Sequence, residues 1–129
     1  MTENISFRFT DPYLSSYVFN SNEEFDDSVG QVAIKNAYNI DIKKLGNDRA
    51  KVVLSVKIGE KGNATPFYIE ASEEALFEYD QNMDEKTRDV MLTKNAPALL
   101  LGYLRANVAS MTAMTRYGAY NLPFMNFNK

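Results

Sequence analysis

The side chains able to do chemistry in this chain are carboxylates, lysines, arginines, hydroxyls and tyrosines, because the sequence contains neither cysteine nor histidine. That absence removes thiolate nucleophiles, imidazole bases and nearly every transition-metal site built on nitrogen or sulfur ligands. The remaining groups form no recognisable catalytic spacing such as a GxSxG turn, an SxxK pair or a phosphate-binding P-loop. We therefore predict that the protein is not an enzyme and has no catalytic residue, metal site or cofactor.

Size and charge narrow the classes of partner. The 129 residues have the length of one globular domain, which we expect to span residues 1–129. A net charge of -3 and a pI near 5.0 argue against nucleic acid, whose binding depends on clustered lysine and arginine. The N-terminus lacks the basic start of a signal peptide, and no stretch approaches the roughly 18 consecutive apolar residues of a membrane span. These features predict a cytoplasmic protein that does not insert into a membrane.

Alternating apolar residues predict strands over the first two thirds of the chain. Even-numbered positions are apolar across most of Val32–Ile42 and throughout Val52–Ile58, which is the period of a half-buried strand. Turn residues at Lys61–Asn63 lead into a third strand over about residues 65–72. A strand near the N-terminus, interrupted at Asp11-Pro12, supplies the fourth. The pattern predicts a four-stranded antiparallel sheet.

After the strands the period becomes helical. Asn82 and Glu85 have the spacing of a capping box, which predicts a short helix running to about Lys94. Asn95 is a good N-cap residue and Pro97 is compatible with a first helical turn, so we predict that a second helix begins there. The fold class is then α+β, a four-stranded antiparallel sheet followed by a short and a long α-helix.

The long helix, expected to reach Tyr117 over about 22 residues, is poor in charge. Between Ala96 and Thr115 the only charged side chain is Arg105, although a helix that covers one sheet of a monomer normally has a charged solvent face. Apolar side chains cover much of its circumference, so we expect burial on two sides. One sheet covers only one side, and the second is best covered by another subunit. The sequence therefore predicts self-association.

Several pieces of the chain resemble the SecB protein-export chaperones. The resemblance is carried by Asn95-Ala-Pro-Ala-Leu-Leu-Leu-Gly-Tyr103-Leu-Arg105, by Thr115-Arg116 and by Asn121-Leu-Pro-Phe-Met-Asn126-Phe127. Val52-Val-Leu-Ser-Val and Phe67-Tyr-Ile-Glu70 also fall where that family has similar residues. The resemblance implies a dimer-of-dimers homotetramer with long helices between sheets. It also implies ATP-independent holding of unfolded polypeptides in apolar grooves and, in many bacteria, transfer of preproteins to the SecA motor.

The resemblance also implies which residues hold a client. Flexible methionines and aromatic rings suit many client sequences, and the C-terminal stretch is rich in both. The predicted client-binding residues are Tyr38, Ile40, Ile42, Met114, Tyr117, Tyr120, Leu122, Phe124, Met125 and Phe127. For each of them, a place in the core is the alternative.

Two further surfaces follow from the resemblance. The predicted subunit interface comprises Leu100, Tyr103, Arg105, Asn107 and Met111. Tyr68 and Glu70, on one strand face, correspond to a SecA docking site, but Ser16 and Asn20 stand where the family has other acidic residues. The chain also ends at Lys129, where most members continue into another helix and a mobile tail. From these departures we expect the holding function more than the SecA-linked export role.

Two other functions stay open. Relatives of SecB serve as chaperones for the antitoxin of a toxin–antitoxin pair, and the sequence does not separate that role from export. The other alternative is a non-chaperone oligomer that binds a small ligand in a pocket lined by Tyr103, Arg105 and Glu70. Arg105 would then bind an anion, or else form a salt bridge between subunits.

Overall fold

The computed structural model describes residues 7–26, 28, 30, 32–62 and 64–127. Asn63 of the predicted hairpin turn and the chain end at Lys129 lie outside the described residues. In chain order, the elements are β1 Phe7–Phe9, β2 Tyr13–Ser21, β3 Asn36–Lys44, β4 Arg49–Gly59, β5 Phe67–Tyr79, α1 Glu85–Val90, a π-helical turn Met91–Asn95, and α2 Ala96–Ala113.

The described strands form one antiparallel sheet with four lateral positions. β5 pairs with β4 along one edge and with both β1 and β2 along the other, while β3 pairs with β4 at the far side. The predicted α+β class is confirmed, and the strand count is five because the N-terminal strand is divided at Asp11-Pro12. Proline has no N–H for the ladder. Thr10 bridges the gap, since its N–H donates to the Leu76 carbonyl and its hydroxyl accepts from the Leu76 N–H.

Two strand boundaries differ from the prediction. β3 begins at Asn36 instead of Val32, and β5 continues to Tyr79 instead of ending near residue 72. β5 continues because it has a paired neighbour on both edges, so its backbone groups are satisfied through the weak strand formers Glu73 and Glu74.

The core lies between one face of the sheet and α2. Alternate residues of β4, from Ala50 to Ile58, and of β5, from Phe67 to Tyr79, point to this inner face and are buried. Leu100, Leu104 and Val108 of α2 pack against them with no exposed surface. The other face of the sheet, which we call the outer face, carries the polar residues of the same strands.

The predicted break between two helices at Asn95 is wrong. Asn95 has helical angles (φ -74°, ψ -43°) and its side chain makes no capping hydrogen bond. The chain instead passes through the π-helical turn, where the Ala96 N–H donates to the Met91 carbonyl five residues back. This wider turn makes room ahead of the ring of Pro97, which would otherwise crowd the preceding turn. The first cap also differs, because Asp84, not Asn82, accepts the Thr87 N–H.

Helix α2 ends at Ala113, before the predicted Tyr117. Threonine hydroxyls compete for its last carbonyls: Thr112 donates to the Val108 carbonyl, and Thr115 donates to the Thr112 carbonyl. Within the described part of the chain, no helix combines the length and the hydropathy needed to cross a membrane.

Candidate functional site

The C-terminal segment, residues 114–127, turns back alongside α2 and lies between α2 and β3. The Tyr120 hydroxyl donates to Oδ1 of Asn36 on β3 at 3.1 Å. The ring of Phe127 meets the ring of Tyr38 edge-on, with 6.4 Å between centroids. We call the space that this segment occupies the α2–β3 cleft. It is the place where most of the predicted client-binding residues come together.

Two side chains of α2 bind the main chain of the segment. The Thr112 hydroxyl accepts the Tyr120 N–H at 2.7 Å, and Nε of Arg105 donates to the Leu122 carbonyl at 2.6 Å. Both contacts use backbone groups, which every residue except proline offers in full. The cleft therefore recognises part of the segment without regard to its sequence.

An aromatic cluster closes the cleft at the C-terminal end of α2. The ring centroid of Phe67 lies 5.2 Å from that of Tyr117, 5.9 Å from that of Tyr120 and 5.9 Å from that of Phe19. The Tyr117 hydroxyl is hydrogen-bonded to the Ser21 hydroxyl at 2.8 Å. Tyr117 and Tyr120 are half-buried, so each has one side in the protein and one toward solvent.

The remaining residues of the segment differ in exposure, with Leu122 and Phe127 buried and residues 123–126 between them exposed. Leu122 and Phe127 are buried in the hydrophobic core. Phe124 is 80% exposed and Met125 is 45% exposed. The guanidinium of Arg105 lies 4.0 Å from the centroid of the Phe124 ring. Met114, where α2 ends, is 77% exposed. Phe124, Met125 and Met114 are thus apolar side chains that the chain itself leaves largely uncovered.

The predicted residues of β3 lie on the inner face, opposite β4. Tyr38 and Ile42 are half-buried and Ile40 is more exposed. The Tyr38 hydroxyl is buried with no hydrogen-bond partner among the described residues. Burial raises the pKa of Tyr38, the nearby Tyr120 raises it further, and Arg105 partly offsets this. Tyr38, Tyr120 and Arg105 therefore converge in the cleft.

The five residues predicted for a subunit interface point in different directions. Leu100 is buried against the sheet of its own chain, Met111 is half-buried, and Arg105 and Asn107 are engaged within the chain. Tyr103 is 41% exposed. It lies on the side of α2 that faces away from the sheet, in a shallow apolar depression that we call the outward surface of α2, lined by Ala98, Leu99, Gly102, Tyr103 and Ala106.

A buried carboxyl group lies in the core that the sequence analysis did not predict. Glu73 of β5 points to the inner face with no exposed surface, between the register partners Leu14 and Leu54. Asn107 donates from Nδ2 to its Oε1 at 2.8 Å, while its Oε2 has no partner among the described residues. Burial raises the pKa of Glu73 and the bond from Asn107 partly offsets that. Had β5 been extended beyond residue 72, the alternation would have placed Glu73 inside.

The predicted SecA docking residues are on the outer face. Tyr68 lies under the ammonium of Lys61, 5.5 Å from the ring centroid, and its pKa is raised by desolvation and by a hydrogen bond to Glu70. Ser16 and Asn20 are on the same face, because their register partners are Ser72 and Tyr68. This outer face is the same side of the sheet that carries Glu70.

The predicted small-ligand pocket does not form within one chain. Glu70 is on the outer face, because its neighbours in β5 point inward. Arg105 belongs to α2, which covers the inner face, and donates to the C-terminal segment. A pocket lined by Tyr103, Arg105 and Glu70 would require one site on both sides of a sheet, so this expectation is wrong for the single chain.

Comparison with known proteins places the fold. The structure is similar to that of the Mycobacterium tuberculosis SecB-like chaperone Rv1957 in complex with a ChAD peptide from the Rv1956 HigA1 antitoxin. The TM-score is 0.72 with 12% sequence identity, over 92% of this chain and 90% of that one. It is also similar to a protein of unknown function from Streptococcus agalactiae, with a TM-score of 0.57 and 11% identity, over 95% of this chain and 100% of that one.

At the level of sequence, no curated protein matches the chain. The family model described as preprotein translocase subunit SecB matches residues 7–129. That match includes every strand and helix described above and the whole C-terminal segment. The chain therefore belongs to the SecB family.

Proposed function

We propose that this protein is an ATP-independent holdase that binds unfolded or non-native polypeptides at the α2–β3 cleft. The observation that carries the proposal is the exposure of Phe124 and Met125 beside a cleft that already binds an extended segment. The Phe124 ring is 80% exposed, and the guanidinium of Arg105 covers only one of its faces. A client segment would cover it.

The chemistry of this surface suits clients of many sequences. Methionine is flexible and polarisable, and an aromatic ring offers a large contact area at a small cost in side-chain entropy. Arg105 and Thr112 contribute contacts to main-chain groups. The sequence contains no phosphate-binding loop, so binding and release would follow from affinity alone.

We further propose that the outward surface of α2 joins subunits in a dimer of dimers. Leu99, Gly102, Tyr103 and Ala106 form an apolar patch with no charged side chain. Small residues at Gly102 and Ala106 would let a second helix approach closely. Oligomers of one chain commonly use such a self-complementary patch around a two-fold axis.

Transfer of clients to SecA is the less supported part of the proposal. Glu70 and Tyr68 would form the docking surface on the outer face. Ser16 and Asn20 leave that surface without the other acidic groups expected for the family.

A second candidate function is that of a dedicated chaperone for an antitoxin. It is favoured by the similarity in fold to Rv1957, whose structure contains an antitoxin peptide. The two roles differ in the breadth of their clients. A general holdase binds several unrelated unfolded proteins with similar affinity, whereas a dedicated chaperone binds one antitoxin segment far more tightly than any of them.

The test is suppression of aggregation by the purified protein at a near-stoichiometric ratio to an unfolded substrate. We expect suppression with several unrelated substrates, and Phe124→Ser should weaken it severalfold while leaving the far-UV circular dichroism unchanged. Phe9→Ser is the matched control, because Phe9 is also an exposed phenylalanine but lies on β1, beside Phe77. Absence of suppression with every substrate, or equal loss in both variants, would contradict the proposal.

A further inference from the structure

We infer that residues 119–127 are a resident occupant of the α2–β3 cleft, which a client must displace in order to bind. The inference rests on the holdase function proposed above and adds a mechanism of self-competition to it. The partner it fits is an extended polypeptide segment that carries an aromatic and an aliphatic side chain two residues apart.

The segment is held in the cleft partly by hydrogen bonds that an incoming polypeptide could replace. Residues 118–126 belong to no helix or strand. Three hydrogen bonds join Tyr120 and Leu122 to the cleft: the Tyr120 N–H to Thr112, the Leu122 carbonyl to Arg105, and the Tyr120 hydroxyl to Asn36. The first two use main-chain groups, which an incoming polypeptide also has. A client could therefore replace the segment without leaving Thr112 or Arg105 unpaired.

The side chains that the segment places in the cleft are two residues apart. Tyr120 and Leu122 point into the cleft, and Asn121 and Pro123 between and beyond them are exposed. This alternation is that of an extended chain, in which residues i and i+2 lie on the same side. Over residues 120–123 the segment therefore has the form that an extended client would take, and the alternation ends at the exposed Phe124.

The segment covers aromatic rings of the cleft. It contacts the rings of Tyr38 and Phe67, which form the floor of the cleft. With the segment in place, the apolar groups that a client can reach are chiefly on the segment itself, at Phe124 and Met125. Leu100 and Leu104 also contact the sheet directly, whereas Leu122 and Phe127 are the residues by which the segment joins the core, so opening would expose these two side chains first.

Competition between the segment and a client weakens the apparent affinity for the client. When only a fraction of molecules has the cleft open, the apparent dissociation constant for a client is the intrinsic value divided by that fraction. A subunit that is open for about one tenth of the time would bind its client about tenfold more weakly than a subunit whose segment cannot close.

The decisive measurement is amide hydrogen exchange of the full-length wild-type protein, with and without a saturating, permanently unfolded protein as client. We expect exchange of the Tyr120 amide, which donates to the Thr112 hydroxyl, to rise at least severalfold when the client binds, while α2 and β5 keep their protection. If the client binds and this amide stays equally protected or becomes more protected, the segment is a fixed wall and the inference is wrong. If no client binds at all, the holdase proposal itself fails, and the binding signal distinguishes that result.

A pair of variants tests the same point from the other side. Leu122→Ser removes one of the two buried side chains of the segment, the other being Phe127, and leaves the residues of the cleft intact, so we expect its affinity for the client to rise about tenfold. Asn121→Ser, an exposed neighbour in the same segment, is the control and should bind as the wild type does. A folded Leu122→Ser variant with unchanged or weaker affinity would overturn the inference. If that variant does not fold, hydrogen exchange in the wild type decides alone.

Discussion

The two sides of α2 have similar composition and opposite surroundings. On the side toward the sheet, Leu100, Leu104 and Val108 have no exposed surface. On the other side, Gly102, Tyr103 and Ala106 are equally free of charge but are exposed. Apolar composition therefore does not say what covers a surface. The side toward the sheet is covered by its own chain, and the other side is not covered by the described residues of that chain.

The two sides also differ in how they are shaped. The inner side has branched side chains that fill space against β4 and β5, and one polar pair, Asn107 with Glu73, that fixes the helix over the sheet. The outward side has small residues around a single large ring, Tyr103. The branched side chains on the inner side stabilise the subunit by filling space against the sheet. The small residues on the outward side make a flat surface, which suits association with another subunit. Substitutions on each side separate these two roles.

The largest effect is expected on the inner side. Leu104→Ala removes a fully buried side chain, and the transfer and cavity terms together should lower the free energy of unfolding by about 2 to 5 kcal/mol. Leu99→Ala makes the same change on the outward surface, where the side chain is only half-buried, and should cost about half as much or less. Denaturant unfolding of the two variants measures this. Equal losses would mean that the two sides are equally packed.

A smaller effect on folding, but a large one on assembly, is expected on the outward side. Ala106→Arg places a charge at the centre of the outward surface of α2 and should leave the unfolding of the isolated subunit changed by about 0.5 kcal/mol or less. The assembly should fall apart to smaller species in sedimentation. Ala64→Arg, at an exposed position between β4 and β5, should sediment like the wild type. If the wild-type protein itself sediments as a monomer, the outward surface of α2 does not join subunits and the prediction is wrong.

Much of the fold was predictable because its signals are local. The alternation in β4 and the first half of β5 follows from the sequence alone. The break expected at Asn95 did not follow, since a proline permits either a new helix or a π-helical turn and only the packing of Leu92 and Ala96 into the core selects the second. The helix propensity of these residues does not distinguish a new helix from a π-helical turn.

The sequence identifies the residue types of the candidate site, but it does not indicate which of those side chains are buried. Leu122 and Phe124 are two residues apart in one aromatic-rich stretch, yet one is buried and the other is 80% exposed. Arg105, seventeen residues before Leu122, contacts both, since it donates to the Leu122 carbonyl and lies over the Phe124 ring. A contact of that range has no periodic signature. Glu73 was missed for a different reason, because a charged residue in a strand is normally assigned to solvent.

Glu73 gives the smallest expected effect and the most specific one. Its pKa is raised above the ordinary carboxyl value by burial, and no charged group is among the causes of the shift. The groups that face it are Leu14 of β2, Leu54 of β4 and Asn107 of α2, none of which titrates. The folded state therefore retains this proton to higher pH than the unfolded chain does.

The contribution of Glu73 to the stability of the fold decreases as the pH rises. Because the folded state binds more protons, the contribution of Glu73 to stability is fully present below the unfolded pKa and is lost as the pH rises through the raised folded pKa. Glu73→Gln keeps an oxygen for Asn107 but cannot ionise, so its stability relative to the wild type should increase as the pH is raised from 4 toward 8. Glu78→Gln, exposed on the outer face of the same strand, is the control. Denaturant midpoints across this range measure both differences. A Glu73→Gln difference that is constant with pH would mean that the pKa of Glu73 is not raised, and that the inner side of α2 tolerates an ionised carboxyl group in the folded core.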